Sequence, residues 1–274
     1  MKSAASKLII KIACLYALFI FFCCSGVKPE LPSGVTMYLS SNYASFRIGD
    51  RYVIEQNEWN IKDAAEPSYE YIFEGNNGGF FGWKWLWNNK KDGVLSYPMV
   101  SCGEWEGHYS AAGFPFPAGE RRVISTFDIT EDTSPAVVNG RNSYDLAYDI
   151  WVEPHFSAKE AKCEIMIWLD SADCMPAALD CRAGSINANG CDFNFYSVPA
   201  EYFKTGNWHY AAFQAVKPVL KSAHFDITPF FDYLIEKKII NAKDKVFVIQ
   251  LGTEVHMGSG TTIISNYSVT VTKR

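Results

Sequence analysis

The chain has 274 residues, a formal net charge of −5 and 15% aromatic residues, with 8 Trp and 15 Tyr. That length suits one large β-sandwich or barrel. An acidic balance without a basic stripe argues against a nucleic-acid partner, and the aromatic share can serve a core or a ligand platform.

In chain order, Lys2, Lys7 and Lys11 precede an apolar stretch from Ile12 to Cys24. This is the pattern of a secretory signal peptide, residues 1–26, with cleavage near Ser25 or Gly26. The stretch is short for a membrane span. Cys23-Cys24-Ser25-Gly26 also fits a lipoprotein signal, although Phe21 and Phe22 replace the usual small residues. Secretion is therefore expected, with a lipid-anchored surface protein as the alternative and the lipid as the sole membrane contact. Residues 27–36, with Pro29, Pro32 and Gly34, read as a short linker. Residues 37–274 read as a single domain, expected to be monomeric.

From Met37 onward, apolar runs are separated by Gly, Asn, Asp and Pro clusters. Tyr52–Asn57, Tyr69–Glu74, Arg122–Phe127, Tyr144–Val152, Lys162–Leu169, Phe247–His256 and Ile263–Val271 read as strands. Trp83, Trp85 and Trp87 alternate onto one face and are assigned to the core. One helix is predicted: Thr228 as its cap, Pro229 at the first helical position, Phe230, Phe231, Leu234 and Ile235 at helical spacing, and Lys237 and Lys238 in the last turn. Many short strands and one helix predict an all-β sandwich or jelly roll.

Five cysteines follow the signal: Cys102, Cys163, Cys174, Cys181 and Cys191. Cys174, Cys181 and Cys191 crowd one loop-like region, where one disulfide is expected in an exported protein. Cys163 falls on the apolar face of its strand and reads as an inert core residue. No Cys-x-x-Cys occurs, and the histidines show no ligand spacing. Asp170, Asp173 and Asp180 lack calcium-loop spacing. Neither a metal nor a cofactor is expected.

Two acids interrupt otherwise apolar strands. Glu164 lies in Cys163-Glu164-Ile165-Met166-Ile167-Trp168-Leu169, and Glu254 in Gln250-Leu251-Gly252-Thr253-Glu254-Val255-His256. Side chains alternate across a strand. Glu164 therefore shares a face with Met166 and Trp168, while Cys163, Ile165, Ile167 and Leu169 form the apolar face. Likewise Gln250, Gly252, Glu254 and His256 oppose Ile249, Leu251 and Val255. An unpaired charge facing a core is strongly disfavoured, so both acids are expected to point into a cleft. Gly252 reads as room for a ligand beside Glu254. Asp149 shares a face with Asp145, Ala147 and Trp151, and if its strand neighbours that of Glu164 the two carboxyls perturb each other. Paired carboxylates across a cleft are the equipment of glycoside hydrolysis.

These segments resemble glycoside hydrolase family 12, the endo-β-1,4-glucanases and xyloglucanases. The resemblance runs in order over residues 50–272. It is carried by Asn57-Glu58-Trp59, Tyr97-Pro98, Ala147-Tyr148-Asp149-Ile150-Trp151, Glu164-Ile165-Met166-Ile167-Trp168-Leu169 and Leu251-Gly252-Thr253-Glu254. It implies a jelly roll of two curved antiparallel sheets, with a concave cleft and one helix on the convex side. It further implies Glu164 as nucleophile, Glu254 as acid/base, Asp149 as helper to the nucleophile, and Asn57, Trp59 and Met166 as sugar contacts. Trp168, Gly252 and His256 join this list as candidate cleft residues by alternation. The implied partner is a β-1,4-glucan: cellulose, mixed-linkage glucan or xyloglucan. Cys102-Gly103-Glu104-Trp105 and the long Asp170–Cys191 loop depart from the family pattern, which bears on substrate preference. A non-catalytic sugar-binding jelly roll and a β-1,4-xylanase are the competing classes.

Overall fold

A computed structural model describes residues 30–91, 93–105, 108–109, 113–135, 140–153, 161–203, 206–219 and 222–274. The expected signal segment, residues 1–26, and the first part of the linker lie outside the described residues. The strands are β1 (Val35–Leu39), β2 (Ser45–Ile48), β3 (Tyr52–Glu55), β4 (Ala64–Gly75), β5 (Phe81–Asn89), β6 (Met99–Trp105), β7 (His108–Tyr109) and β8 (Phe116–Pro117). They continue with β9 (Arg121–Ser134), β10 (Ser143–Val152), β11 (Cys163–Ala172), β12 (Arg182–Ala188), β13 (Cys191–Val198), β14 (His209–Ala215), β15 (Ser222–Asp226) and β16 (Lys245–Lys273), with helix α1 (Thr228–Glu236) preceding β16.

Two sheets share β16. One runs β2-β3-β6-β16-β10-β11-β14-β13-β12 and is antiparallel except for β11 against β14. The other runs β1-β4-β5-β16-β9-β15. The sequence reads the Glu254 segment and Ile263–Val271 as separate strands. They are one strand, whose first half pairs β10 and whose second half pairs β9. It passes between sheets at Gly258, where φ is +124° and an added Cβ would meet Asn142 Oδ1 at 2.2 Å. Only glycine accepts that backbone at that spacing.

The core lies on one face of the first sheet. Leu146, Tyr148 and Ile150 of β10 and Ile165 and Ile167 of β11 are buried with Trp83, Trp85 and Trp87. The tryptophan stripe is therefore core, as its alternation predicts, and its polar edges are used: Trp83 Nε1 donates to Thr253 Oγ1 at 2.9 Å, and Trp87 Nε1 to Glu70 Oε2 at 3.1 Å. Helix α1 closes the same core with Phe230, Phe231 and Leu234, and Phe230 packs at 5.0 Å on Phe213 and 5.8 Å on Phe225. Each such ring removed from water contributes about 1.5–3 kcal/mol. Thr228 does not cap the helix with its side chain. Its hydroxyl instead accepts the Val123 N–H at 3.0 Å, tying the helix start to β9.

Two further expectations change. The long Asp170–Cys191 loop contains a strand, β12, which pairs with β13 as a hairpin. Cys102, Cys163, Cys174, Cys181 and Cys191 are all free thiols, so the expected bridge is not formed. Proximity in sequence does not bring sulfurs to bonding geometry when a hairpin separates them.

Candidate active site

Strand β10 is the axis of the site. It pairs with β11 on one side and β16 on the other, which places Asp149 opposite Met166 and Gln250, Trp151 opposite Glu164, and Asp145 opposite Glu254. Alternation does the rest: Tyr148 and Ile150 enter the core, and Asp145, Asp149 and Trp151 face the other way with Glu164 and Glu254. The condition set for Asp149, a strand next to that of Glu164, is met. Asp145, Asp149 and Glu164 are buried, while Glu254 is partly exposed.

Three indoles surround the Glu164 end. Trp208 Nε1 donates to Glu164 Oε2 at 2.5 Å, and Trp151 Nε1 donates to Asp149 Oδ2 at 2.9 Å. The rings support one another: Trp151 lies edge-on to Trp208 at 5.1 Å and 5.0 Å from Trp105. On β14, Tyr210 lies opposite Glu164 and its hydroxyl donates to Met166 Sδ at 3.3 Å.

Burial pushes all four carboxyls upward. For Glu164, the Trp208 N–H works against burial and the nearby Glu254 charge adds to it. For Asp149, Glu164 and then Glu254 raise it further, and the Trp151 N–H offsets part of the rise. Asp145 is held well above the usual carboxylate range by burial and then by Glu254. Its contact with Glu254 lowers Glu254 against that residue's own burial. Like charges this close cannot all ionise together, so the group retains protons in weakly acidic solution.

A second acid group lies on the neighbouring strands. Ser96 bridges Glu58 on one side and Val255 on the other. Gln56 Nε2 donates to Glu58 Oε1 and to the Glu70 carbonyl, and Ser96 Oγ donates to Glu70 Oε2. Burial raises Glu58 to about 7, and burial together with Glu58 raises Glu70 to about 8.

The remaining predicted contacts separate. Trp59 is 52% exposed, as a sugar platform requires, and Asn57 beside it is half-buried. His256 is half-buried, with its carbonyl held by Asn89 Nδ2 at 3.0 Å. Met166 and Trp168 lie on the expected face but are buried in a cluster with Ala147, Tyr196, Tyr210 and Ala212. Trp168 therefore offers no open ring. Gly252 does not leave room for a ligand: a Cβ there would meet the Pro98 carbonyl at 2.6 Å, the Tyr97 ring at 2.7 Å and Met99 Cβ at 2.8 Å. The glycine serves close packing of that segment. Sequence reasoning missed Trp208, Tyr210 and Glu58, which lie on segments with no strong period. Alternation placed Asp145 on the Asp149 face but did not assign it to the site.

A large curved sheet carrying a row of acids beside indoles fits one class, a β-sandwich glycoside hydrolase. The sequence profile of glycosyl hydrolase family 12 matches residues 50–272. The xyloglucan-specific endo-β-1,4-glucanase A of Emericella nidulans is 24% identical over 229 residues, covering 80% of this chain and 85% of that protein. A probable xyloglucan-specific endo-β-1,4-glucanase A of Neosartorya fischeri is 26% identical over 234 residues, covering 80% and 86%. Among solved structures, the family 12 xyloglucanase of Bacillus licheniformis superposes with a TM-score of 0.74 at 24% identity, over 86% of this chain and 100% of that one. The Rhodothermus marinus endoglucanase gives 0.69 at 22%, over 87% and 100%. The chain belongs to glycosyl hydrolase family 12 and is a glycoside hydrolase of the endoglucanase class.

Proposed function

We propose that the protein is a secreted retaining endo-β-1,4-glucanase with xyloglucan as its main substrate. Glu164 is the nucleophile and Glu254 the acid/base. The observation that carries this reading is the Trp208 N–H on Glu164. A hydrogen bond to the charged form favours ionisation, so the Trp208 N–H opposes the effect of burial on Glu164 and supports it as the attacking carboxylate.

Glu164 then attacks the anomeric carbon while protonated Glu254 donates to the leaving glycosidic oxygen. This forms a glycosyl-enzyme and a free sugar hydroxyl. Deprotonated Glu254 next takes a proton from water, whose oxygen displaces Glu164 at the anomeric carbon. A retaining pair works at a carboxyl separation of about 5–5.5 Å. Glycosylation removes the Glu164 charge, which eases ionisation of Glu254 for its second role. Asp149, steadied by Trp151, shares protons with Glu164 before attack. Trp59 and Asn57 contact sugar rings farther along the cleft, Met166 forms its floor, and His256 lies beside Glu254. The xyloglucan preference is supported by the named activities of the curated relatives.

The test is Glu164→Gln on soluble xyloglucan, with the anomeric form of the first product followed by NMR in the wild type. Expected are a loss of at least about 1,000-fold in kcat with oligosaccharide binding retained, and a β-anomer as first product. Substantial activity in Glu164→Gln, or an α-anomer first, overturns the assignment. Faster cleavage of xylan than of any glucan overturns the substrate.

A further inference from the structure

We propose that Asp145, Cys174 and His256 form a binding site for a divalent transition-metal ion of the zinc class, at the Glu254 end of the cleft. The three come from separate parts of the chain: β10, the turn after β11, and β16. A carboxylate oxygen, the Cys174 sulfur and a His256 ring nitrogen all lie within 4.8 Å of one another. Tetrahedral zinc takes sulfur at about 2.3 Å and nitrogen or oxygen at about 2.0–2.2 Å, so a small inward shift of side chains closes the set.

A second observation points to a ligand independently. Asp145 is wholly buried, yet neither of its carboxylate oxygens accepts a hydrogen bond from a described N–H or O–H group. The polar atoms that face it are the Cys174 sulfur and a His256 ring nitrogen, with the Glu254 carboxyl opposite it on the neighbouring strand. A buried carboxylate without donors is costly unless it is paired or coordinates a metal. Cys174 and His256 are both partly exposed, which gives an ion a way in. Both are anchored: Cys174 Sγ donates to the Tyr144 carbonyl at 3.0 Å, and Asn89 holds the His256 carbonyl. The donor set is one sulfur, one imidazole nitrogen and one oxygen. That set selects zinc, cobalt or copper over calcium and magnesium, which take oxygen alone. Three protein ligands leave a fourth position for water. On binding, the Cys174 thiol proton passes to solvent and sulfur coordinates as thiolate.

The consequence rests on the acid/base reading of Glu254. An ion on Asp145 sits against the Glu254 carboxyl and draws it toward the metal, away from the glycosidic oxygen. The site is thus an inhibitory one, by which free transition metal slows the enzyme.

Cobalt(II) titration of the purified protein reads binding without reference to activity. The expected result is one equivalent bound with a thiolate-to-cobalt charge-transfer band, displaced by zinc. Cys174→Ser should abolish the band, and His256→Ala should weaken cobalt binding at least about 10-fold. No thiolate band, or an equal band in Cys174→Ser, overturns the site. A band lost in Cys181→Ser instead also overturns it. In parallel, zinc should inhibit xyloglucan hydrolysis by the wild type and not by Cys174→Ser, whose zinc-free activity is unchanged. Binding without inhibition upholds the metal site and overturns its coupling to Glu254.

Discussion

Trp208→Phe isolates one hydrogen bond of the proposed mechanism. The phenyl ring retains an aromatic partner for Trp151 at 5.1 Å and Phe203 at 5.7 Å, and removes the N–H that now meets Glu164. A hydrogen bond to a charged group is worth about 1.5–3 kcal/mol. At about 1.4 kcal/mol per pKa unit, its loss raises Glu164 by about 1–2 units. The sign follows from the role: burial already pushes Glu164 to about 8, and Trp208 is what opposes this. The nucleophile must be ionised, so the acidic limb of kcat/KM moves to higher pH by that amount. Below the limb, kcat/KM falls about 10–100-fold, and the loss shrinks as pH rises. The assay is the pH profile of kcat/KM on soluble xyloglucan for wild type and variant, with thermal unfolding of each as a folding control. An acidic limb that stays in place while the protein remains folded would refute the argument that the Trp208 N–H favours the ionised form of Glu164. A uniform loss at every pH would refute it equally, since that reports misplacement and not protonation.

Two further outcomes follow from packing and burial. Gly252→Ala should lower stability by about 1–3 kcal/mol, read from urea unfolding, because the new methyl meets the Pro98 carbonyl at 2.6 Å and Tyr97 at 2.7 Å; unchanged stability would restore the idea of open space there. Glu70 and Glu58 are raised from 4.5 to about 8 and about 7, so their protonated forms favour the fold. Their contribution is fully present below about pH 4.5 and is lost as pH rises through about 8. Glu70→Gln should therefore gain at least about 1 kcal/mol over the wild type at pH 8 relative to pH 5, and an unchanged difference between the two pH values would refute the buried-acid reading.

The face on which each acid lies was legible in the sequence. A strand alternates with period two, so Ile165 and Ile167 in the core require Glu164 outside it, and Leu251 and Val255 require the same of Glu254. The tryptophan stripe and the helix were readable for a similar reason, since periodic apolar spacing leaves one buried side. The boundaries were less legible. β16 was read as two strands because nothing local distinguishes a glycine that ends a strand from Gly258, which bends one. Gly252 was read as open space because a missing side chain does not say what fills its place, and Tyr97 and Pro98 arrive from a distant segment. Trp208, with no period around it, gave no signal at all.

By itself, the sequence determined the all-β class, the core face of each central strand, and a family resemblance resting on Glu164, Glu254 and Asp149. Those are properties of short segments, where steric alternation and the cost of burying charge act locally. Only the tertiary structure decided which strands flank β10, and hence that Asp145 meets Glu254 and that Trp208 meets Glu164. Such contacts join residues tens of positions apart through sheet pairing. Their effect on protonation depends on burial and distance in space, which no local pattern records.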